Sequence, residues 1–195
     1  MLPELALIIF VFAGLATPGP NVIMLLSSGV RFGFSRSLPH IFGIALGVGV
    51  IAGLAGLGVA AVLLNVPALA LLFRILAAAW ILWLAYRLLV SANAPKDQSS
   101  EKPFTLVQAV LFQWVNPKVW AVALAAAAGF GSGASLQIES LQLALTFTTI
   151  NLFVCLFYAA TGSWLRPLLA SPKIWRRFLI VMAALMALSA LLVFL

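Results

Sequence analysis

Lys118 stands in a long apolar stretch and is the residue whose chemistry most needs an explanation. It follows Asn116 and Pro117 in a segment that runs from about residue 104 to 130. If that segment crosses a bilayer, a charge near its centre costs at least about 2.5–3.5 kcal/mol. A lysine stem is too short to reach the interface from there. We expect Lys118 to face a protein interior or a watery cavity, where it binds a carboxylate or takes part in proton coupling. The alternative is a structural lysine that donates to carbonyls freed by Pro117.

A second polar interruption, Thr17-Pro18-Gly19-Pro20, lies in the first apolar segment and is followed by Asn21. Proline removes a helical hydrogen bond and clashes with the preceding turn, and glycine adds backbone freedom. Each interruption begins roughly 12–15 residues into its segment, about 18–22 Å along a helix, near mid-membrane. Interrupted helices at matching positions in two halves of a chain are typical of a transporter's binding site. The alternative is that the prolines only kink two packing helices.

The composition requires a lipid environment for these segments. Hydrophobic residues make up 65% of the 195 residues, charged residues 8%, and the mean hydropathy is +1.20. A soluble domain carries about 25% charged residues. The apolar runs do not alternate with polar positions, which favours helices over a barrel. Six segments have the roughly 20 residues that a membrane crossing needs: about 2–28, 38–64, 67–90, 104–130, 137–162 and 174–195.

The net charge of +7 is explained by membrane topology rather than by nucleic-acid binding, because the basic residues are dispersed among alternate loops. Those loops carry Arg31, Arg36, Arg87, Lys96, Lys102, Arg166, Lys173, Arg176 and Arg177. The positive-inside rule places them in the cytoplasm and both termini outside the inner membrane. Arg74 and Lys118 do not fit this pattern. Arg74 is expected to extend towards the outer surface.

The hydrophilic stretch 91–103 divides the chain into halves of about 1–92 and 103–195. Three helices in each half would insert with opposite orientations, the arrangement of an inverted repeat. The sequence therefore predicts an all-α polytopic membrane protein with one transmembrane domain, 1–195. It consists of two inverted three-helix repeats, with the first and fourth helices broken at mid-membrane and a cytoplasmic linker at 91–103.

Polar residues near the two interruptions and in the fifth segment complete the candidate substrate-binding set. Such groups can line a transport path or only bond between helices. The set is Thr17, Pro18, Gly19, Pro20, Asn21, Gln113, Asn116, Pro117, Lys118, Thr149 and Asn151. The motifs of a catalytic, metal or cofactor site are absent from the sequence. No acid lies at mid-membrane, so a proton-carrying carboxylate has no candidate. The second segment has glycines at 43, 47, 49 and 53, whose spacing indicates close helix packing and permits a homodimer.

The motifs Ala16-Thr17-Pro18-Gly19-Pro20-Asn21 and Phe112-Gln113-Trp114-Val115-Asn116-Pro117-Lys118 resemble those of the LysE/RhtB family of amino-acid exporters. The resemblance covers essentially the whole chain. It implies efflux of an amino acid or derivative driven by the proton motive force, and the cysteine/O-acetylserine exporters are plausible neighbours. A passive small-solute channel and a non-transport membrane partner are the alternative functions. A membrane enzyme is disfavoured because no nucleophile or clustered acids and histidines occur.

Overall fold

The computed structural model describes residues 2–17, 19–58, 67–93, 102–131, 133–169 and 171–191. These residues form helices and no strand, which confirms the predicted all-helical class. The helices are α1 (Leu2–Ala16), α2 (Pro20–Phe32), α3 (Phe34–Gly56), α4 (Pro67–Asn93), α5 (Leu106–Trp114), α6 (Pro117–Gly129), α7 (Leu136–Leu165) and α8 (Pro172–Leu191).

Within the described residues, four helical stretches are long and apolar enough to cross a membrane, in α3, α4, α7 and α8. The pairs α1–α2 and α5–α6 pass the same test together, with bends of 61° and 64° between their members. The number of candidate spans is therefore four, or six if each bent pair is one span.

The two bends follow from the prolines that begin α2 and α6. Proline disfavours the helical region for the residue that precedes it, and at both breaks that residue is extended. Gly19, before Pro20, has φ −173° and ψ −178°, and Asn116, before Pro117, has φ −93° and ψ 99°. Pro18, the remaining proline of the first interruption, lies outside the described residues.

Helices α3 and α7 form the centre of the bundle and pack extensively against each other. Helix α2 crosses α7, α3 also contacts α5 and α6, and α4 pairs with α8. One apolar core lies among α1, α3, α6 and α7, around Ile44 and Phe147. A second lies among α2, α4, α5 and α8, around Ile81 and Met186. The two broken pairs are thus held between α3, α7 and the α4–α8 pair.

The glycines of α3 are used for packing inside the chain, on two faces of the helix. Gly43 and Gly47 lie against the α5 backbone, at Leu106 and Val110 respectively. Gly49, Gly53 and Gly56 lie against α7. This small-residue surface, which the sequence analysis expected to permit a homodimer, is occupied by intrachain neighbours.

Several helix bounds differ from the sequence prediction. The second segment, predicted as 38–64, is the helix Phe34–Gly56. It ends early because Gly58 has φ +77°, a left-handed conformation that terminates helices. Residues 59–66, and 94–101 of the predicted linker at 91–103, lie outside the described residues. The fifth segment is longer than predicted, Leu136–Leu165.

The crossing of α2 and α7 provides a test of this packing. A Cβ at Gly29 would lie 2.3 Å from the Ala159 carbonyl oxygen, and a Cβ at Gly162 would lie 2.3 Å from the Leu26 carbonyl oxygen. We expect Gly29→Ala and Gly162→Ala each to destabilise the protein by about 1–3 kcal/mol through overpacking. Gly129→Ala is the matched control, because its Cβ would meet nothing within 4 Å. Thermal unfolding in detergent should show a lower Tm for the first two variants only. Equal Tm values for all three would contradict the crossing.

Candidate functional site

The two helix breaks meet through Lys118. Its Nζ donates to Thr17 Oγ1 at 2.8 Å and to the Thr17 backbone carbonyl. The lysine stem lies against Gly19, where an added Cβ would be 3.0 Å from Lys118 Cδ. Lys118 is the second residue of α6 and Thr17 directly follows α1, so this contact joins residues 101 positions apart. Lys118 faces protein, as its sequence context predicted.

Two aromatic side chains satisfy further carbonyls at the breaks, and the sequence analysis missed both. Tyr158 of α7 donates its hydroxyl to the Ala16 carbonyl at 2.8 Å. The Trp120 indole Nε1 donates to the Trp114 carbonyl at 3.0 Å. This carbonyl has no helical partner because α5 ends at Trp114. A buried tyrosine hydroxyl usually has a hydrogen-bond partner, but the other tyrosine of the chain, Tyr86, also lies in an apolar helix and is 62% exposed, so residue type alone does not identify Tyr158.

A cluster of three amide side chains spans the breaks. Gln113, at the end of α5, is fully buried. Its Oε1 accepts from Asn21 Nδ2 at 2.8 Å and from Asn116 Nδ2 at 3.4 Å, while its Nε2 donates to the Ala109 carbonyl at 2.9 Å. The cluster therefore connects the first turn of α2 with the break before α6, using residues from both halves of the chain.

The orientation of all three amides is determined by the Ala109 carbonyl, which can only accept. Gln113 must present Nε2 to it, so Oε1 faces the two asparagines. Both asparagines must then present Nδ2 to Gln113. This leaves Asn21 Oδ1 and Asn116 Oδ1 buried with no protein partner. An unpaired buried polar atom costs about 1–3 kcal/mol, so two such acceptors indicate a place for a donor group.

The same breaks contain two helix N-termini without side-chain caps. Helices α2 and α6 both begin with proline, and neither Gly19 nor Asn116 caps its helix with a side chain. Helix N-termini carry partial positive charge and unsatisfied N–H groups. Beside Lys118 they form a positive region adjacent to the acceptors of the amide cluster. Positive and acceptor groups that lie side by side suit a zwitterion.

The remaining predicted residues are placed differently. Asn151 is buried, 2% exposed, and its Nδ2 has no protein partner, but it has no hydrogen bond with the amide cluster. Thr149 is exposed on the outer face of α7, so the structure does not bring it to the breaks; its neighbour Thr148 faces Gly49 instead. Pro20 and Pro117 begin their helices, and Pro18 lies outside the described residues. Arg74 is exposed on α4.

A cavity of about 490 Å³ lies beside the breaks, between α2, the start of α3, α4, α5 and α8. None of the predicted binding residues lines it. Its wall nearest the breaks includes Met24, Phe112 and Val115. Near the other end of α3, a smaller cavity of about 230 Å³ is lined by residues that include Gly56, Phe130 and Glu139. The two cavities share no lining residue, so the packed breaks separate them.

Across the described residues, no group of three histidine, cysteine or carboxylate side chains could hold a metal ion. The site offers one amine, two uncapped helix ends and several amides. Groups of these types interact with ligands through charge and hydrogen bonds.

The family can be assigned from comparison with known proteins. The profile of a family described as "LysE type translocator" matches residues 12–195. The chain belongs to this family. The match confirms the resemblance inferred from the two proline motifs, and with the apolar helices it makes the LysE-type chain a multi-pass membrane protein.

Curated relatives of this LysE-type chain include proteins named "Cysteine/O-acetylserine efflux protein". The one from Salmonella typhimurium strain LT2 is 35% identical over 104 residues, which cover 53% of this chain and 52% of that protein. The one from Escherichia coli strain K12 is 34% identical over 104 residues with the same coverage. The chain spans about half of the length of the curated relatives it matches. No solved structure matches the chain significantly.

The amide cluster predicts a specific loss of stability. Gln113→Met should leave Asn21 Nδ2 and Asn116 Nδ2 without their acceptor and lower the free energy of unfolding by about 1–3 kcal/mol. Gln137→Met, at an exposed position on the first turn of α7, is the matched control and should be near neutral. Thermal unfolding of both variants in one detergent measures the difference. If the two variants unfold at the same temperature, the cluster does not connect the halves as described.

Proposed function

We propose that this protein is a secondary active exporter of a small amino acid or amino-acid derivative, with the solute bound between the two helix breaks. The proposal rests on one observation: positive groups and unpartnered hydrogen-bond acceptors lie side by side at the breaks. Lys118 and two uncapped helix N-termini supply positive charge, and the amide cluster supplies buried acceptors without partners. A free amino acid carries the complementary groups, a carboxylate and an ammonium.

The carboxylate would bind at Lys118 and the helix N-termini. In the structure Lys118 Nζ donates to the hydroxyl and the carbonyl of Thr17, which are uncharged acceptors. A carboxylate makes shorter and stronger hydrogen bonds with an ammonium than neutral oxygens do. The solute would therefore compete with Thr17 for Lys118, with the N–H groups of α2 and α6 completing its shell.

The ammonium would bind at the amide oxygens. Asn21 Oδ1 and Asn116 Oδ1 accept no hydrogen bond from the protein, and an ammonium has three donors. Asn151, whose buried Nδ2 has no partner, would contact the side chain of the solute through an acceptor on it. Thr149 has no part in this arrangement, because its side chain is on the outer face of α7.

The helix contacts support an inverted repeat, and with it alternating access. If α1–α2, α3 and α4 correspond to α5–α6, α7 and α8, then a two-fold axis relates α3 to α7 and α4 to α8. In each of these pairs, the two helices are in contact. The axis also exchanges α2–α7 with α6–α3, and α1–α7 with α5–α3, and all four contacts are present. Repeats of this kind rock around a central site in many transporters.

The orientation in the membrane follows from the basic residues. Arg31, Arg87 and Lys102 line one cavity, and Gly33 lies beside the Arg166 guanidinium. The positive-inside rule assigns this end to the cytoplasm and both termini to the outside of a bacterial inner membrane. The larger cavity would then open towards the cytoplasm, where an exporter loads its solute.

The names of the curated relatives direct the first transport experiment. Cells that overproduce the protein should accumulate cysteine, O-acetylserine or a similar small neutral amino acid outside, and an uncoupler should abolish the accumulation. Cells with the empty vector are the control. Outward movement that continues down a gradient in the presence of the uncoupler would indicate a passive channel instead. Export of none of a panel of amino acids would refute the proposed function.

Lys118 provides the variant test. Lys118→Met should abolish export, because the solute's carboxylate loses its only charged partner among the described residues at the breaks. The quantity of protein in the membrane should stay near normal. Lys118→Gln keeps a donor for Thr17 without the charge, so it separates substrate binding from the structural contact. If Lys118→Gln exports as well as the unmodified protein does, Lys118 only holds the breaks together.

A further inference from the structure

The cavity of about 490 Å³ is separate from the breaks and contains polar groups that the proposed transport site does not use. Most of its wall is apolar, with Trp80, Trp83 and Phe104 among the lining residues. Its volume falls within the range of about 300–1,000 Å³ that is typical of small-molecule sites. Such sites combine apolar walls with a few placed polar groups, and this cavity has that composition.

His40 is one of those polar groups and is buried more deeply than its position near a helix start suggests. It is 2% exposed, stacks on Phe104 with ring centroids 5.0 Å apart, and lines the cavity. Both ring nitrogens lack a hydrogen-bond partner. An imidazole always carries at least one N–H donor, so His40, which lines this space, carries a buried donor without an acceptor.

Ser27 is a second unpartnered group on the same cavity. It is 4% exposed and its hydroxyl has no hydrogen bond, whereas the adjacent Ser28 is paired with Ser37 at 2.8 Å. Two buried hydroxyl or imidazole groups without partners on one wall each cost about 1–3 kcal/mol. That cost is recovered when a molecule in the cavity supplies an acceptor.

The charges on the cavity define what that molecule is. Lys102 lines it, as do Arg31 and Arg87, which have further interactions within the protein, and none of its described lining residues is an acid. Clefts lined by one sign of charge raise the local concentration of the opposite charge. Lysine, imidazole N–H and hydroxyl groups are all donors to a carboxylate or phosphate oxygen. An anionic acceptor would therefore match all of these groups.

The position of the cavity relates it to the breaks. Val115 lines it and directly precedes Asn116, and Met24 lines it one turn after Asn21. A ligand that moves past Val115 and Met24 would reach the amide cluster. The cavity is thus a separate space next to the site between the breaks.

We propose that this cavity is a loading site, in which a small organic carboxylate binds through His40, Ser27 and Lys102 before it passes to the breaks. Its role in export rests on the proposed function, but the binding itself does not. The same anionic chemistry occurs in the headgroup of an acidic phospholipid, so the test separates the two sources.

The single histidine of the chain gives a specific probe. The full-length protein, purified with a tag that lacks histidine, is labelled with ¹³C-histidine and placed in phosphatidylcholine nanodiscs, where its NMR spectrum has one imidazole ring environment to follow. Titration with O-acetylserine should shift the His40 signal saturably, in the unmodified protein and in Lys118→Gln alike. The methyl ester of O-acetylserine, which lacks the carboxylate, should not shift it. No saturable shift with O-acetylserine would overturn the proposal.

Matched serine variants locate the binding. Ser27→Ala should raise the Kd of the titration about fivefold, the effect of one hydrogen bond of about 1 kcal/mol. Ser35→Ala, at an exposed position on α3, should leave it unchanged. Equal Kd values would overturn the assignment of Ser27.

If phosphatidylglycerol in the disc shifts the signal and O-acetylserine does not compete, the cavity holds a lipid headgroup and the proposal is wrong. If cells export an amino acid but O-acetylserine does not shift the His40 signal, only the loading site is wrong. If O-acetylserine shifts the signal but cells export no amino acid, only the proposed function is wrong.

Discussion

The need to satisfy backbone groups freed by proline in an apolar environment determines how the centre of this protein is built. In lipid an unpaired carbonyl costs several kcal/mol, because water is not there to bond it. At the break between α1 and α2, the Thr17 carbonyl accepts from Lys118 and the Ala16 carbonyl accepts from Tyr158. Both donors come from the second half of the chain. Packing of the two halves therefore stabilises the first break, and one of the two donors, Lys118, is also the residue that would bind the proposed solute.

Local sequence favoured an interruption at Pro20 and Pro117, because proline disfavours the helical region for the preceding residue, although Pro39 lies inside α3 without ending it. That each bent pair is one membrane helix broken at mid-membrane stays a prediction. It also predicted that Lys118 faces protein or a watery cavity, since an ammonium exposed to lipid at mid-membrane is costly. The partner of Lys118 was not predictable, because it is the carbonyl and hydroxyl of Thr17. Every residue has a backbone carbonyl, so the sequence does not show which one accepts. Lys118 donates to a backbone carbonyl, but to that of Thr17 and not to the carbonyls freed by Pro117 that the alternative interpretation named.

The fifth segment shows where sequence reasoning is weakest. Three threonines occur within four residues of α7. Polar residues this close together do not show which face of the helix is buried. The structure buries Asn151 and leaves Thr149 exposed, consistent with a turn of about 100° per residue, which puts positions two apart on nearly opposite faces. The glycines of α3 were read correctly as packing residues. That they serve two different neighbours, α5 and α7, follows only from the arrangement of the bundle.

The contact between Lys118 and Thr17 also bears on how a carrier at this site would release its cargo. A transport site must bind well enough to load and weakly enough to unload. If the solute's carboxylate displaces Thr17 from Lys118, the lysine exchanges one set of acceptors for another and is never left unpaired. The net gain is then the difference between a charged and a neutral acceptor, which is smaller than the full strength of either bond. Return of Thr17 to Lys118 would assist release on the other side. The amide oxygens have no such substitute within the described residues, so the proposed ammonium end would contribute more to affinity, and the carboxylate end more to exchange.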